Sequence, residues 1–163
     1  MNRKILVAGI GNIFLGDDGF GVEVATRLAA RPLPECVTVA DFGTRSYDLA
    51  YALMQLWELV FIVDALPGGE EPGSVYLVEP SLPEQNPDVL EIDAHSMNPE
   101  SVLRLVSAWG GKISRMLVVG CEPATIDFHE ESFGLSDPVR AAVDEAVRVV
   151  EELIAQNMHA AAA

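Results

Sequence analysis

Basic residues and cysteines are scarce in this sequence of 163 residues. Lys and Arg together number 10, against 25 Asp and Glu, and the formal net charge is −15. Because such a charge repels phosphate backbones, we expect no nucleic-acid partner. Cys36 and Cys121 are far apart and form no CxxC pair. This spacing favours two free thiols in a reducing compartment over a disulfide framework.

Long apolar runs are also missing. No window approaches the roughly 18 consecutive apolar residues that a membrane-spanning helix needs. The apolar run near the N-terminus is short and breaks at Gly9-Ile10-Gly11-Asn12, which is typical of a buried strand and not of an export signal. The sequence therefore predicts a cytoplasmic protein without a membrane span.

Several familiar catalytic and metal-binding motifs are absent. The sequence contains no HExxH, no Gly-x-Ser-x-Gly and no dense histidine cluster, so it does not indicate a tight permanent metal site or a serine nucleophile on a sharp turn. Cys121 follows a predicted strand and remains a weak candidate nucleophile. Its base would have to be His95 or His129, which the sequence alone does not bring near it. His159 lies in a predicted tail and is given no role.

Apolar strands and amphipathic helices alternate along the chain. Strands are predicted at 4–9, 37–42, 59–65, 74–78 and 116–120, and helices at 19–30, at 47–57 and from residues 98 and 136 onward. The strands lack an alternating pattern, which indicates burial on both faces of a parallel sheet. We therefore predict a three-layer α/β fold, with a mostly parallel, twisted five-stranded sheet and helices on both faces. A single domain is expected over 1–154, followed by a frayed tail over 155–163.

Acidic side chains recur at the ends of the predicted strands. In folds of this class, sites form outside the carboxyl ends of the strands. The polar residues that this rule selects are Asn12, Asp17 and Asp18 after strand one, Asp41 in strand two, Asp64 in strand three, and Glu122 after strand five.

His95 lies in a loop before a predicted helix and adds an imidazole to two of these carboxylates. Imidazole together with carboxylates suits borderline divalent metals such as nickel, zinc, iron or manganese. Three protein ligands would leave coordination positions open for substrate or water, as catalytic sites require. Asp18, Asp64 and His95 are therefore the predicted catalytic and metal-contacting set.

Structural explanations compete with a catalytic one at the acidic positions. One of Asp17 and Asp18 is expected to cap the helix that follows them, and Asp64 has the alternative of capping the turn after its strand. The glycine pattern before Asn12 also resembles the start of a dinucleotide fingerprint. Position 14 is Phe, however, where that fingerprint has glycine, and the two adjacent carboxylates would repel a pyrophosphate. A nucleotide- or flavin-binding regulatory domain remains an alternative, since Asp41 is placed like a ribose-binding carboxylate.

Taken in order, the motifs resemble those of the hydrogenase maturation endopeptidases, from about residue 4 to about residue 154. The matching motifs are Gly9-Ile10-Gly11-Asn12, Asp17-Asp18-Gly19-x-Gly21, Asp41-Phe42-Gly43-Thr44, Val63-Asp64-Ala65, His95-Ser96-Met97, Gly120-Cys121-Glu122-Pro123 and Gly134-Leu135-Ser136. Each motif is weakly specific, whereas the ordered set is quite specific. Two departures stand out: position 18 is Asp where some members carry Glu, and position 42 is Phe where glycine is common.

The resemblance implies an endopeptidase that removes a C-terminal peptide from the precursor of a nickel–iron hydrogenase large subunit, after nickel insertion. It assigns contact with that nickel to Asp18, Asp64 and His95. The metal is then supplied by the substrate, and no permanent cofactor is expected. Either the nickel or one of the two carboxylates would activate the attacking water. A chaperone that binds the hydrogenase subunit without cutting it is a second alternative, but a pure binder need not retain all three residues.

Candidate substrate contacts complete the expected site. They are the polar residues that surround the catalytic set in the first two motifs and in the turn after strand two, namely Asn12, Asp17, Asp41 and Thr44.

Overall fold

The computed structural model describes residues 4–81, 98–126 and 133–160. In chain order, its elements are β1 (Ile5–Ile10), a short 3-10 helix (Gly16–Gly19), α1 (Phe20–Ala29), β2 (Val37–Gly43), α2 (Ser46–Leu53), β3 (Leu59–Ala65), β4 (Val75–Val78), α3 (Pro99–Ala108), β5 (Met116–Cys121) and α4 (Asp137–His159). Each predicted strand and helix is found, with bounds that differ by one or two residues except at the ends of α2 and α4.

The strands form one sheet in the order β2-β1-β3-β5-β4. β1 pairs in parallel with both β2 and β3, and β3 pairs in parallel with β5, whereas β4 is antiparallel to β5. The register places Gly9 opposite Val63 and Asp64 opposite Gly120. The carboxyl ends of β1, β3 and β5 therefore lie along the same edge of the sheet.

Two hydrophobic cores lie on opposite faces of this sheet. One contains the buried side chains of α1 and α4, including Phe20 and Val143, with alternate residues of the strands such as Phe61. The other contains those of α2 and α3, including Leu49 and Val102, with the remaining strand residues. Side chains that are apolar on both strand faces produce this arrangement. The predicted three-layer α/β fold is thereby confirmed.

Two glycines let α1 approach the sheet unusually closely. A Cβ added at Gly21 would lie 2.0 Å from the carbonyl oxygen of Val63, and one at Gly9 would lie 2.2 Å from the carbonyl oxygen of Gly21. Any side chain at either position would collide with backbone. The first turn of α1 therefore rests directly on β1 and β3, and the 3-10 helix before it is brought to the carboxyl end of β3.

The helix bounds differ from the prediction at two places. α2 ends at Leu53, four residues before the predicted end, and the indole of Trp57 folds back to donate a hydrogen bond to the carbonyl of Ala52 at 2.8 Å. α4 continues to His159, so the helix includes residues 155–159, which were expected to belong to a frayed tail. Its end is held because Met158 packs against the core.

The start of α3 agrees with the prediction from sequence. Asn98 is the N-cap, its side chain accepts a hydrogen bond from the backbone of Ser101 at 2.8 Å, and Pro99 occupies the first helical position. None of the described helices combines the length and apolar character that crossing a bilayer requires.

Candidate active site

Asp64 ends the most buried strand of the sheet. Its side chain lies at the carboxyl end of β3 and the residue is only 4% exposed. Burial raises the pKa of this carboxyl group well above its ordinary value, and the nearby charge of Asp18 raises it further, while a hydrogen bond from the backbone of Ala65 acts in the opposite direction. The structure thus brings Asp18 and Asp64 close enough to interact electrostatically across the ends of β1 and β3.

The backbone of the loop after β1 holds Asp18. The amide of Asn12 donates a hydrogen bond to Oδ2 of Asp18 at 2.6 Å, and the side chain of Asn12 accepts one from the amide of Phe14 at 2.9 Å. Gly11 has a φ of 128°, and a Cβ there would lie 1.8 Å from the carbonyl oxygen of Asp18. Only glycine fits at position 11 of this turn. Asp18 itself is half-buried.

Asp17 occupies a different environment from its neighbour. It has no exposed surface, and its carboxylate accepts hydrogen bonds from Ala124, Thr125 and Ser136. The expectation that Asp17 contacts substrate is therefore wrong for the described structure, because its oxygens face the protein interior. Neither acidic residue makes a side-chain cap on the 3-10 helix or on α1, so the predicted helix cap is also corrected.

Asp41 and Thr44 lie at the same edge of the sheet, where β2 ends, and both are exposed. Their turn is tied to the loop after β1, since the amide of Gly11 donates to the carbonyl of Gly43 at 2.9 Å. The guanidinium of Arg45 donates to the carbonyls of Asp41 and Phe42. Both candidate contacts are thus accessible from solvent.

The side chain of Phe42 packs against the core on the side of α2 and α3. Phe42, which stands where glycine is common in the family, therefore points away from the turn and does not obstruct it.

His95 lies outside the described residues, as does His129. The three-residue set of Asp18, Asp64 and His95 consequently stays a prediction. Among residues 4–81, 98–126 and 133–160, no group of three or more His, Cys, Asp or Glu side chains is arranged to hold a metal ion. The two carboxylates supply oxygen ligands only, and a complete metal-binding set would need a further donor.

Cys121 does not have the character of a nucleophile. It is fully buried, and burial, followed by the charges of Asp17 and Glu122, raises the pKa of its thiol to about 12. A thiol with that pKa is protonated at neutral pH, and it has no surface on which a substrate could bind. Cys36 is only partly buried and lies beside Met158, with the two sulfur atoms 3.6 Å apart.

Glu122 is a structural residue whose role the sequence did not reveal. It is 7% exposed, and its Oε2 accepts hydrogen bonds from the amides of Gly68 and Glu70 at 2.6 and 3.4 Å. Its backbone also exchanges hydrogen bonds with Gly73 and Ser74. The segment that leads away from Asp64 is thereby fastened to the end of β5. The only signal in the sequence was an acidic residue directly after an apolar strand, which does not indicate what it binds.

The position of the acidic pair in the topology is informative. From β1 the connection leads to β2 on one side, whereas β3 lies on the other, so the strand order reverses between β1 and β3. Ligand sites in open α/β sheets form at this switch point. A desolvated carboxylate beside a second one is suited to contact a cation or to accept a proton. The fold and site together define an α/β protein with an acidic site at its switch point.

Comparison with known proteins gives the family. The family model described as hydrogenase maturation protease matches residues 22–153. The hydrogenase expression/formation protein HupD of Rhizobium leguminosarum bv. viciae is 32% identical over 152 residues, covering 90% of this chain and 74% of that protein. This chain belongs to the hydrogenase maturation protease family.

Solved structures agree with this assignment. The hydrogenase maturating endopeptidase HybD from E. coli superposes with a TM-score of 0.75 at 25% identity, covering 95% of this chain and 94% of that chain. The hydrogenase 2 maturation peptidase from a Thaumarchaeota archaeon superposes with a TM-score of 0.72 at 29% identity, covering 94% and 99%. Membership of this family favours an endopeptidase over the nucleotide-binding domain and the non-cleaving chaperone.

Proposed function

We propose that this chain removes a C-terminal peptide from the nickel-loaded precursor of a nickel–iron hydrogenase large subunit. The observation that carries the proposal is the pair of Asp18 and Asp64 at the switch point of a fold shared with maturation endopeptidases. His95 completes the proposed set that contacts the nickel.

The composition of this set explains how cleavage depends on the metal. Two carboxylates and one imidazole include no thiolate, and such a set is too weak to strip nickel from the cysteines of the substrate. It can instead fill open positions of the nickel coordination shell. The nickel belongs to the substrate throughout, and its contact with the protease places the scissile bond beside the carboxylates.

Hydrolysis then needs a water molecule and a group that takes its proton. The water oxygen adds to the scissile carbonyl carbon, the C–N bond breaks, and the proton passes to the leaving amine. Asp18 or Asp64 acts as the general base, or the nickel of the substrate lowers the pKa of the water. Asp41 and Thr44, exposed on the neighbouring turn, are proposed to contact the peptide, together with the loop that contains Asn12.

A cleavage assay tests the proposal. The purified chain is mixed with a cognate large-subunit precursor, with and without inserted nickel, and the products are measured by intact mass. Loss of a C-terminal peptide from the nickel-loaded precursor alone supports the proposal. Cleavage of both forms would remove the metal-dependent recognition, and no cleavage of a verified precursor would favour the chaperone alternative.

A matched pair of variants connects the activity to the site. Asp64→Asn is expected to abolish cleavage of the nickel-loaded precursor. Asp144→Asn, which alters a carboxylate that is 78% exposed on α4, is expected to cleave like the parent chain. Normal processing by Asp64→Asn would refute the assignment.

A further inference from the structure

We infer that Asp17 is a positioning residue, which fastens the 3-10 helix carrying Asp18 to two segments from the other end of the chain. This inference rests on the proposed function, because it gives Asp18 a place in the reacting site. Asp17 touches neither the solvent nor any surface that a substrate could reach. Its effect on cleavage is exerted through Asp18.

The hydrogen bonds of Asp17 join three segments at one carboxylate. Oδ1 accepts from the amide of Ser136 at 2.7 Å. Oδ2 accepts from the amides of Ala124 and Thr125 at 2.8 and 3.1 Å and from the hydroxyl of Ser136 at 2.9 Å. The amide of Asp17 itself donates to the carbonyl of Thr125 at 3.2 Å. The 3-10 helix is therefore bound to the chain after β5 and to the start of α4.

At the start of α4, a hydrogen bond to Asp17 replaces the ordinary helix cap. Ser136 is at the N-cap position, where a serine side chain usually accepts a hydrogen bond from the first turn of its own helix. Here its side chain makes no such bond, and its hydroxyl donates to Asp17 instead. The carboxylate of Asp17 also lies at the N-terminus of α4, the positive end of the helix dipole.

Adjacent positions on a 3-10 helix point in different directions, about 120° apart. Asp17 consequently faces the interior while Asp18 faces the site. Asp18 is held from its other side by the amide of Asn12, at 2.6 Å. A shift of the turn would move the Asp18 carboxylate relative to Asp64, and displacements of about 1 Å reduce rates by as much as 100-fold.

The amide proton of Asn12 provides a readout that needs no substrate. Its hydrogen bond to Asp18 should give it a downfield chemical shift in a ¹H–¹⁵N spectrum, and Asp18→Asn supplies the reference for the weakened bond. We expect this resonance to move upfield in Asp17→Asn and, by a smaller amount, in Ser136→Ala. Val150→Ala, which trims a buried residue of α4 remote in sequence from the anchor, controls for a general loss of stability and should leave the resonance in place.

Cleavage kinetics provide the second readout. For Ser136→Ala, we expect kcat to fall by about 10-fold with KM unchanged. The variant leaves the substrate contacts in place but shifts Asp18 relative to Asp64. Ser136→Thr keeps the hydroxyl and should restore the rate, whereas Val150→Ala should cleave like the parent chain.

The two readouts separate the inference from the proposed function. A folded Ser136→Ala that keeps both the Asn12 resonance and the parental kcat would overturn the inference, even if Asp17→Asn fails to fold. If the parent chain cleaves no precursor, the proposed function fails, while the Asn12 resonance still decides whether Asp17 positions Asp18.

Discussion

Two carboxylates of this protein, Asp17 and Asp64, are almost equally buried and yet stand in opposite situations. Asp17 is surrounded by donors from the chain after β5 and from the start of α4. Asp64 lies in an environment that raises its pKa, first through burial and then through the charge of Asp18. The region around Asp17 supplies hydrogen-bond donors to its carboxylate, whereas the region around Asp64 disfavours the charged form of that carboxyl group.

This difference distinguishes structure from chemistry better than burial does. A buried carboxylate with a full set of hydrogen bonds contributes to folding, and its removal leaves donors without acceptors. A buried carboxylate whose charge is disfavoured is kept at the expense of stability, which is a common property of functional sites. By the same criterion, Glu122 is a structural carboxylate like Asp17 and unlike Asp64, because it accepts hydrogen bonds from backbone amides.

The largest effect is expected for Asp64→Asn. Loss of a metal contact or general base should reduce the cleavage rate by about 10³-fold. Because the substitution removes a group whose charged form is disfavoured by burial, the free energy of unfolding should not decrease. Cleavage kinetics and urea denaturation measure the two quantities. A large loss of stability would show that Asp64 belongs with Asp17 as a structural carboxylate.

The reverse pattern is expected for the stability of Asp17→Asn. The amide group replaces an acceptor by a donor among buried donors, so the free energy of unfolding should fall by about 3 kcal/mol. Asp144→Asn removes an exposed partner of Arg27 and should cost no more than about 0.5 kcal/mol. Equal denaturation midpoints for these two variants would show that the hydrogen bonds of Asp17 do not stabilise the fold.

A smaller loss is expected for Glu122→Gln. Glutamine retains an oxygen that can accept from the amide of Gly68, but the charge-assisted strength of that bond is lost. We expect destabilisation by about 1 kcal/mol, measured by denaturation in urea. Glu122→Ala should cost more, because both Gly68 and Glu70 would lose their acceptor. If the two variants behaved alike, the retained oxygen would be irrelevant.

The smallest chemical change is expected at Cys121. At pH 8.5, an alkylating reagent should modify Cys36 in the folded protein and leave Cys121 unmodified, as measured by peptide mass. Because the pKa of Cys121 rises from 9.0 to about 12 on folding, the unfolded chain loses its thiol proton first. The protonated thiol of Cys121 therefore makes its full contribution to stability below pH 9, and this contribution declines between pH 9 and about 12. Rapid alkylation of Cys121 in the folded state would contradict its burial.

Much of the fold was predictable from the sequence because each strand is a continuous apolar run bounded by breakers. The alternation of strands and helices then fixed the fold class. The antiparallel direction of β4 could not be predicted, because its four residues, Val75–Val78, contain no signal of orientation. The end of α4 could not be predicted from the sequence, because the packing of Met158 depends on tertiary structure.

The acidic rim was predictable as a group but not residue by residue. Asp17 and Asp18 are chemically identical neighbours, and only the three-dimensional direction of each side chain separates an anchor from a member of the site. Likewise, nothing local marks Ser136 as a partner of Asp17, since the same serine is also a good helix cap. The contacts that decide these roles join residues far apart in the chain.

One of those contacts has a consequence for how the protein is made. The hydrogen bonds between Asp17 and Ser136 connect positions 119 residues apart. Synthesis proceeds from the N-terminus at about 5–20 residues per second, so Asp18 and Asp64 emerge well before the start of α4. A nascent chain thus contains Asp17, Asp18 and Asp64 before it contains Ser136, to which Asp17 is hydrogen-bonded. On the positioning role inferred for Asp17, the carboxylate of Asp18 is therefore fixed relative to Asp64 only after the start of the last helix has been synthesised.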